Sequence, residues 1–239
     1  MKVFEVRLPG AVAVFSTRQG GISKPPYDTL NLGILTGDEK HRVMQNRHRL
    51  AARLEVAPDR VGMGWQVHGA DLQVWRQLMR SRFADPHADL AKVDGHVTNA
   101  GGFALLVLVA DCLPVALSDG ERVAMLHCGW RGIAAGILER ALEQFDETPA
   151  AAVGPGIGRC CYEVGEEVRA EFSDLDGVAD GRMLDLRAVV ARRLERAGVR
   201  QVEHVDLCTS CNPDLFFSHR RDGAKTGRQC GVVVRTDEP

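Results

Sequence analysis

Phe103 to Ala110 (Phe-Ala-Leu-Leu-Val-Leu-Val-Ala) is an unbroken apolar run, and it limits the chain more than any other stretch. The run is too short to cross a bilayer and reads as a β-strand buried on both faces. A chain of 239 residues can bury such a strand in a full core without disulfide or metal staples. No internal repeat, low-complexity tract or Pro/Ser-rich linker interrupts it, so a single domain over residues 1–239 is expected. The 30 basic and 32 acidic residues give a net charge of −2, which argues against a nucleic-acid partner, whose binding face normally leaves a basic excess. Charges within Met-Lys-Val-Phe-Glu-Val-Arg at the start argue against a secretory signal. The expectation is a cytoplasmic protein with no membrane attachment.

Further strands are expected at Val3 to Leu8, Ala11 to Phe15, Val61 to Val67, Leu72 to Trp75, Pro114 to Leu117, Arg122 to Leu126, Gln201 to Leu207 and Gly231 to Arg235. Val43, Met44, Leu50, Ala51 and Leu54 recur at helical spacing behind a Gly37-Asp38 cap. Two more helices are expected, from Gly132 to Phe145 and from Asp185 to Ala197, the second stopped by Gly198. Strands dominate the middle and helices interrupt them without strict alternation. That pattern points to a mixed-sheet α+β fold.

The seven cysteines (Cys112, Cys128, Cys160, Cys161, Cys208, Cys211 and Cys230) are an odd count and read as thiols. Three strand-like segments each run into a residue able to hold a metal. Val61 to Val67 delivers His68, Phe103 to Ala110 delivers Asp111-Cys112, and Arg122 to Leu126 delivers His127. Two imidazoles and a thiolate are good zinc ligands, and three protein ligands leave a fourth position for water or substrate. The spacings match no local zinc ribbon, so on the residues alone a core thiol beside two unrelated histidines is the favoured reading. Cys208-Thr209-Ser210-Cys211 is one CxxC with no second pair to complete a four-cysteine site. Gly129-Trp130-Arg131-Gly132 is either an anion cradle at a helix start or a tight strand-to-helix turn. Gly154-Pro155-Gly156-Ile157-Gly158 reads as a turn. Phe216 to Asp222 pairs two aromatic rings with Arg220 and Arg221; a solvated charge pair beside a buried Phe is the default reading, and an anion or ribose contact is the functional one.

Taken together, a series of short motifs resembles the YfiH family, also called laccase-domain or polyphenol-oxidase-like proteins. They are Thr17 to Ser23, Asn31-Leu32-Gly33, Asn46-Arg47, Gln66 to Gly69, Asp94 to Thr98 and Ala110 to Pro114. His127 to Gly132, Gly154 to Ile157, Tyr162-Glu163-Val164, Cys208-Thr209 and Phe216 to Arg221 complete the series. The resemblance covers nearly the whole chain in order. It implies a single-domain layered α/β/β/α fold related to the catalytic domain of the cytotoxic necrotizing factors. It also implies one mononuclear zinc site at His68, Cys112 and His127, with copper as a possible substitute.

The activity implied is phosphorolysis of adenosine, inosine, guanosine and methylthioadenosine to base and sugar 1-phosphate, with deamination of adenosine. The partners would be a purine nucleoside and phosphate, handled by a monomer or homodimer. Cys112, His127, His68 and Asp111 are the expected catalytic residues, Asp111 as proton shuttle. Arg18, Asn31, Arg47, Arg131 and Arg220 are the expected substrate-binding residues. Cys128 departs from the family pattern, which has alanine there, and raises the question of a second thiol at the metal. No two of the eight histidines are two residues apart, so a multicopper cluster with His-x-His pairs is not expected. Two other readings stand beside this one. Cys112 and His127 suit a cysteine hydrolase acting as an amidase on peptidoglycan precursors, and a zinc-stabilised binding module needs no catalysis at all.

Overall fold

A computed structural model describes residues 1–77 and 79–236; Leu78 and residues 237–239, part of the expected 1–239 domain, lie outside the described residues. Strands β1 (Val3–Leu8) and β2 (Ala11–Ser16) open the chain, and helix α1 (Lys40–Arg53) follows. Five strands come next, β3 (Val61–Gly62), β4 (Leu72–Trp75), β5 (Gly95–Thr98), β6 (Ala104–Val109) and β7 (Leu113–Ser118). Strand β8 (Val123–Cys128) leads into helices α2 (Trp130–Ala134) and α3 (Ile137–Leu142), then β9 (Ala150–Val153) and α4 (Glu166–Ala170). The last part holds β10 (Ala179–Asp180), β11 (Met183–Leu184), α5 (Leu186–Arg196), β12 (Val202–His204), α6 (His219–Asp222) and β13 (Gln229–Arg235).

Two mixed sheets carry the fold. One has the order β1-β2-β13-β6-β3, the other β12-β9-β7-β8-β5-β4, and β10-β11 is a separate small ribbon. The expected apolar strand explains the layering. On β6, Leu105, Val107 and Val109 pack with Phe15, Ala116, Val123 and Met125 between the sheets. Its alternate residues Ala104 and Leu106 pack on the other side with Leu50 and Ala51 of α1. The second sheet behaves likewise: Leu113, Val115, Leu117, Ala124 and Leu126 turn outward onto Ile137, Leu138, Val189, Val190 and Leu194 of α3 and α5. The result is a single-domain α+β fold layered helix, sheet, sheet, helix. Each fully buried aliphatic side chain contributes on the order of 1.5–3 kcal/mol, so two-sided strands dominate the stability. Among the described residues no helix is long and apolar enough to cross a membrane.

Three expected elements take different forms, and one of them, the strand expected from Gln201 to Leu207, pairs only over Val202–His204. Val61 to Val67 pairs as a strand only over Val61–Gly62, parallel to β6. Beyond that the Gln66 side chain takes the place of a ladder, donating to the Leu108 carbonyl and accepting from the Leu108 N–H, both at 2.7 Å. The expected helix from Gly132 to Phe145 begins earlier, at Trp130, and is broken by Gly136, whose φ of 85° is the left-handed region that glycine enters without penalty. The helix expected from Asp185 to Ala197 forms as α5, with the Asp185 carboxylate accepting from the Ala188 N–H at 3.0 Å and Gly198 at φ 86° beyond its end.

Because β6 is covered on both sides, Leu105→Ala and Leu106→Ala should each cost roughly 2–5 kcal/mol. Urea unfolding of the two variants checks this; a strand with one wet face would lose stability at only one of the two positions.

Candidate active site

The antiparallel register of the six-stranded sheet gathers one edge of it. Leu113 at the start of β7 pairs with Cys128 at the end of β8, and Gly95 at the start of β5 pairs with Leu126. Cys112, His127 and Asp94 therefore meet at the same edge. His68 is not carried on a strand, as expected from the sequence, but on the turn 67–69, which a buried carboxylate captures. Asp94 accepts the N–H groups of Val67, His68 and Gly69 at 3.0, 2.9 and 2.8 Å. The same carboxylate lies 2.7 Å from His127 Nδ1. Donor atoms of His68, Cys112 and His127 all lie within 4.8 Å of one another, and the two imidazole rings meet edge-to-face with centroids 4.8 Å apart.

Alternation along β8 settles the place of Cys128. His127 shares the inter-sheet side with Val123 and Met125, whereas Cys128 is buried among the outward side chains under the helices. Burial pushes its thiol well above the usual range, so it is a core residue and not a fourth donor. Gly129, directly after it, is required by close approach: a Cβ there would stand 3.0 Å from Cys112 Sγ and 3.1 Å from His68 Cδ2. Gly132 has a similar reason, since its Cβ would meet the Gly69 carbonyl oxygen at 2.7 Å.

Electrostatics couple the three groups. Burial opposes the Cys112 thiolate, but the charge of His127 and hydrogen bonds from His127 and His68 outweigh it and bring the thiol down to about 6. Burial also opposes the imidazolium of His127, yet the Cys112 thiolate and Asp94 hold it up at about 9. Asp94 stays below the usual carboxylate range despite its burial, through His127 and the turn amides. Without metal the site is thus a thiolate–imidazolium pair anchored on a carboxylate.

These residues open into a cavity of about 480 Å³, within the size of ordinary small-molecule sites. The lining includes His68, Asp111, Cys112 and His127, the polar side chains of Tyr162, Arg220 and Arg228, and apolar Met63, Trp65 and Leu108. Leu35 stands at the rim, 82% exposed. Asp111 has φ 94°, a conformation an L-residue holds only when its surroundings fix it. Three bonds do so: its carboxylate accepts from Thr209 Oγ1 at 2.6 Å and the Arg220 N–H at 2.7 Å, and its carbonyl accepts from the Ile157 N–H at 2.8 Å. The expected proton shuttle thus has both carboxylate oxygens engaged in holding the wall. Ile157 N–H, in the Gly154 to Gly158 turn, is likewise spent on protein.

The expected substrate-binding residues divide. Arg220 lines the cavity, its Nη1 donating to the Cys161 and Glu163 carbonyls and its guanidinium 5.2 Å from the Tyr162 ring centroid. Arg47 is instead buried, donating to the Leu32 and Phe83 carbonyls at 3.0 and 2.6 Å, and burial lowers its pKa to about 10; it staples the core. Arg18 is held by Asp28 and the Pro213 carbonyl over the Phe217 ring, and Arg131 lies over Trp130; neither lines the cavity. Asn31 sits one layer back, its amide oxygen accepting the N–H groups of Gly33 and Arg228 at 3.0 and 2.9 Å. Asp94, Tyr162 and Arg228 received no role from the sequence. The first two stand in quoted motifs, and Arg228 carries no local signal beyond Thr226-Gly227.

A layered α+β fold with a His-Cys-His group beside a cationic, apolar-walled cavity defines a class of small-molecule protein with a candidate metal centre. A sequence profile for the family described as multi-copper polyphenol oxidoreductase laccase matches residues 12–236. Purine nucleoside phosphorylase YfiH of Escherichia coli is 38% identical over 237 residues, 94% of this chain and 93% of that protein. Purine nucleoside phosphorylase YlmD of Geobacillus stearothermophilus is 38% identical over 253 residues, covering 96% and 92%. The crystal structure of Bacillus licheniformis YfiH superposes with a TM-score of 0.87 at 31% identity, covering 94% of this chain and 92% of that one. The chain belongs to this laccase-like YfiH/YlmD family.

Two expectations test the site. In metal-free protein, alkylation of Cys112 by iodoacetamide, followed by peptide mass mapping, should rise across pH values near 6. A rise only near 9 would show that the imidazoles do not stabilise the thiolate. Gly129→Ala should keep its far-ultraviolet circular dichroism yet lose metal affinity by roughly 10–100-fold, the range for disturbing a metal site's support; unchanged affinity would mean the close approach is not tight.

Proposed function

We propose that this chain is a purine nucleoside phosphorylase that works with a zinc ion held by His68, Cys112 and His127. The observation that carries the reading is the meeting, in one cavity, of that donor set with the guanidinium groups of Arg220 and Arg228. The donors fit the ion: two imidazole nitrogens and one sulfur, within 4.8 Å of one another, are a borderline-soft set suited to zinc, and copper would compete for it by intrinsic affinity. Held there by His68, Cys112 and His127, the ion would supply Lewis acidity.

The chain's own residues supply the rest. Asp94 fixes the His127 ring through Nδ1 and leaves Nε2 directed away from the carboxylate. Arg220 and Arg228 give phosphate its counter-charge. Both use Nη1 on backbone carbonyls, so they are held before the ligand arrives. Met63, Trp65, Leu108 and Tyr162 exclude water around a purine. Phosphate oxygen bonds to C1′ as the C1′–N bond breaks, and the electron pair leaves with the base; the products are base and sugar 1-phosphate. The relatives named purine nucleoside phosphorylase support this reaction. We include adenosine, inosine, guanosine and methylthioadenosine as substrates and deamination of adenosine as a second activity of the same cavity.

A second reading has a specific observation behind it. Cys112, His127 and Asp94 have the order of a nucleophile, base and orienting carboxylate, and would suit a cysteine amidase. His68 weighs against it, because such a triad has no use for a second imidazole on the thiolate.

A nucleoside panel assayed with and without phosphate tests both. Wild type should release base only with phosphate, and His68→Ala and Cys112→Ala should each lose at least roughly 10–100-fold. Equal base release by wild type and Cys112→Ala would overturn the assignment. Amide turnover retained in His68→Ala but lost in Cys112→Ala would favour the hydrolase. Inosine formed from adenosine reads the deamination.

A further inference from the structure

Outside the cavity the fold completes the CxxC that the sequence left unpaired. Cys160 and Cys161, in the loop after β9, meet Cys208 and Cys211, in the loop between β12 and α6, so that four sulfurs lie within 4.8 Å of one another. Cys211 Sγ is 3.4 Å from both Cys160 Sγ and Cys161 Sγ. A tetrahedral thiolate centre with metal–sulfur bonds of about 2.3 Å places its sulfurs about 3.8 Å apart, so small side-chain shifts would close the group on one ion.

Three further features belong to such a centre. The Gly158 N–H donates to Cys208 Sγ at 3.2 Å, the kind of outer bond that orients a ligand and stabilises a thiolate. Gly158 itself makes the approach possible, since a Cβ there would lie 3.1 Å from Cys208 Cβ and 3.2 Å from Cys160 Sγ. The two loops are registered by backbone: Thr209 N–H donates to the Gly156 carbonyl at 3.0 Å, and Cys161 and Tyr162 N–H groups return to the Gly158 carbonyl at 2.9 and 3.1 Å. Packing does not account for these thiols. Cys160 and Cys211 are exposed and Cys161 and Cys208 half-buried, unlike the buried Cys128 and Cys230.

We propose that Cys160, Cys161, Cys208 and Cys211 form a second metal site, a four-thiolate centre for a soft divalent ion of the zinc class. Its position gives it a structural task. The loop it would clamp on one side carries Tyr162 and the Cys161 and Glu163 carbonyls that hold Arg220; the loop on the other carries Thr209, which holds Asp111. The ion would therefore brace the parts of the cavity wall that carry Tyr162, Arg220 and Asp111, although none of the four cysteines lines the cavity. Binding requires only deprotonation of the thiols, with release of their protons to solvent.

The test uses the full chain, produced with zinc and kept under reductant, with zinc counted per chain by elemental analysis. Wild type should hold two zinc ions, Cys112→Ala one and Cys208→Ser one. A single ion lost in Cys208→Ser and kept in Cys112→Ala upholds this site while removing the one at His68, Cys112 and His127. A single ion with the opposite dependence overturns the present proposal and leaves the other standing. Cobalt-substituted Cys112→Ala, in which the four cysteines are untouched, guards against misfolding of Cys208→Ser. It should show the intense thiolate-to-cobalt charge-transfer absorption of a four-sulfur centre, and cobalt protein without those bands overturns the proposal. Alkylation of Cys160, Cys161, Cys208 and Cys211 should be slow in zinc-loaded protein and fast after chelation; equal rates in both states also overturn it.

Discussion

A single buried carboxylate holds the site together. Asp94 has no exposed surface, and burying an ionised carboxylate is costly unless it is fully paired. Its four donors, three turn amides and the His127 ring, provide that pairing, each as a charge-assisted bond. Because the donors come from two distant stretches, the carboxylate sets the distance between His68 and His127. His68 has φ 61°, and the turn amides bound to Asp94 keep it there. Removing the carboxylate would leave orphaned amides and a freely rotating imidazole together.

The site sits where the chain changes sheets. Strand β6 belongs to one sheet and β7 to the other, and Asp111-Cys112 is the link between them. The crossover places a residue with a sparsely populated backbone conformation, Asp111, directly before Cys112. Asp111 is fixed from both loops that face it, through Thr209, Ile157 and Arg220, so strain at the link is balanced by bonds to the wall. The donor group and the cationic wall are thereby held in one frame although they come from different layers.

Much of the fold was legible because its strongest elements are locally unambiguous. The run Phe103 to Ala110 reads as a two-sided strand, and β6 (Ala104–Val109) is one. Val3 to Leu8 alternates apolar and charged residues, Leu72 to Trp75 is a short strand-like segment, and both form as expected. His68, Cys112 and His127 were found because each ends an apolar segment, and the fold brings all three together. What failed to show depends on long-range partners. Gln66 replaces a ladder from its side chain, so Val61 to Val67 looked like a longer strand than it is. Arg18 and Arg47 resemble anion ligands in isolation; only the packing shows that buried carbonyls and Asp28 occupy them. Cys160-Cys161 carries no spacing signal towards Cys208-Cys211, because loops 50 residues apart meet through long-range backbone bonds at Gly156 and Gly158. Gly95–Thr98 is too short, and too rich in glycine and histidine, to announce a strand, although every residue in it is buried.

Leu35 and its neighbours at the rim belong to neither sheet, and the donor residues beneath them touch no part of that loop through the bonds that fix them. A change at the exposed Leu35 alters what can enter while leaving intact the Asp94 bonds that position His68 and His127, whereas a change at the Gly33 end reaches Arg228 through the Asn31 amide.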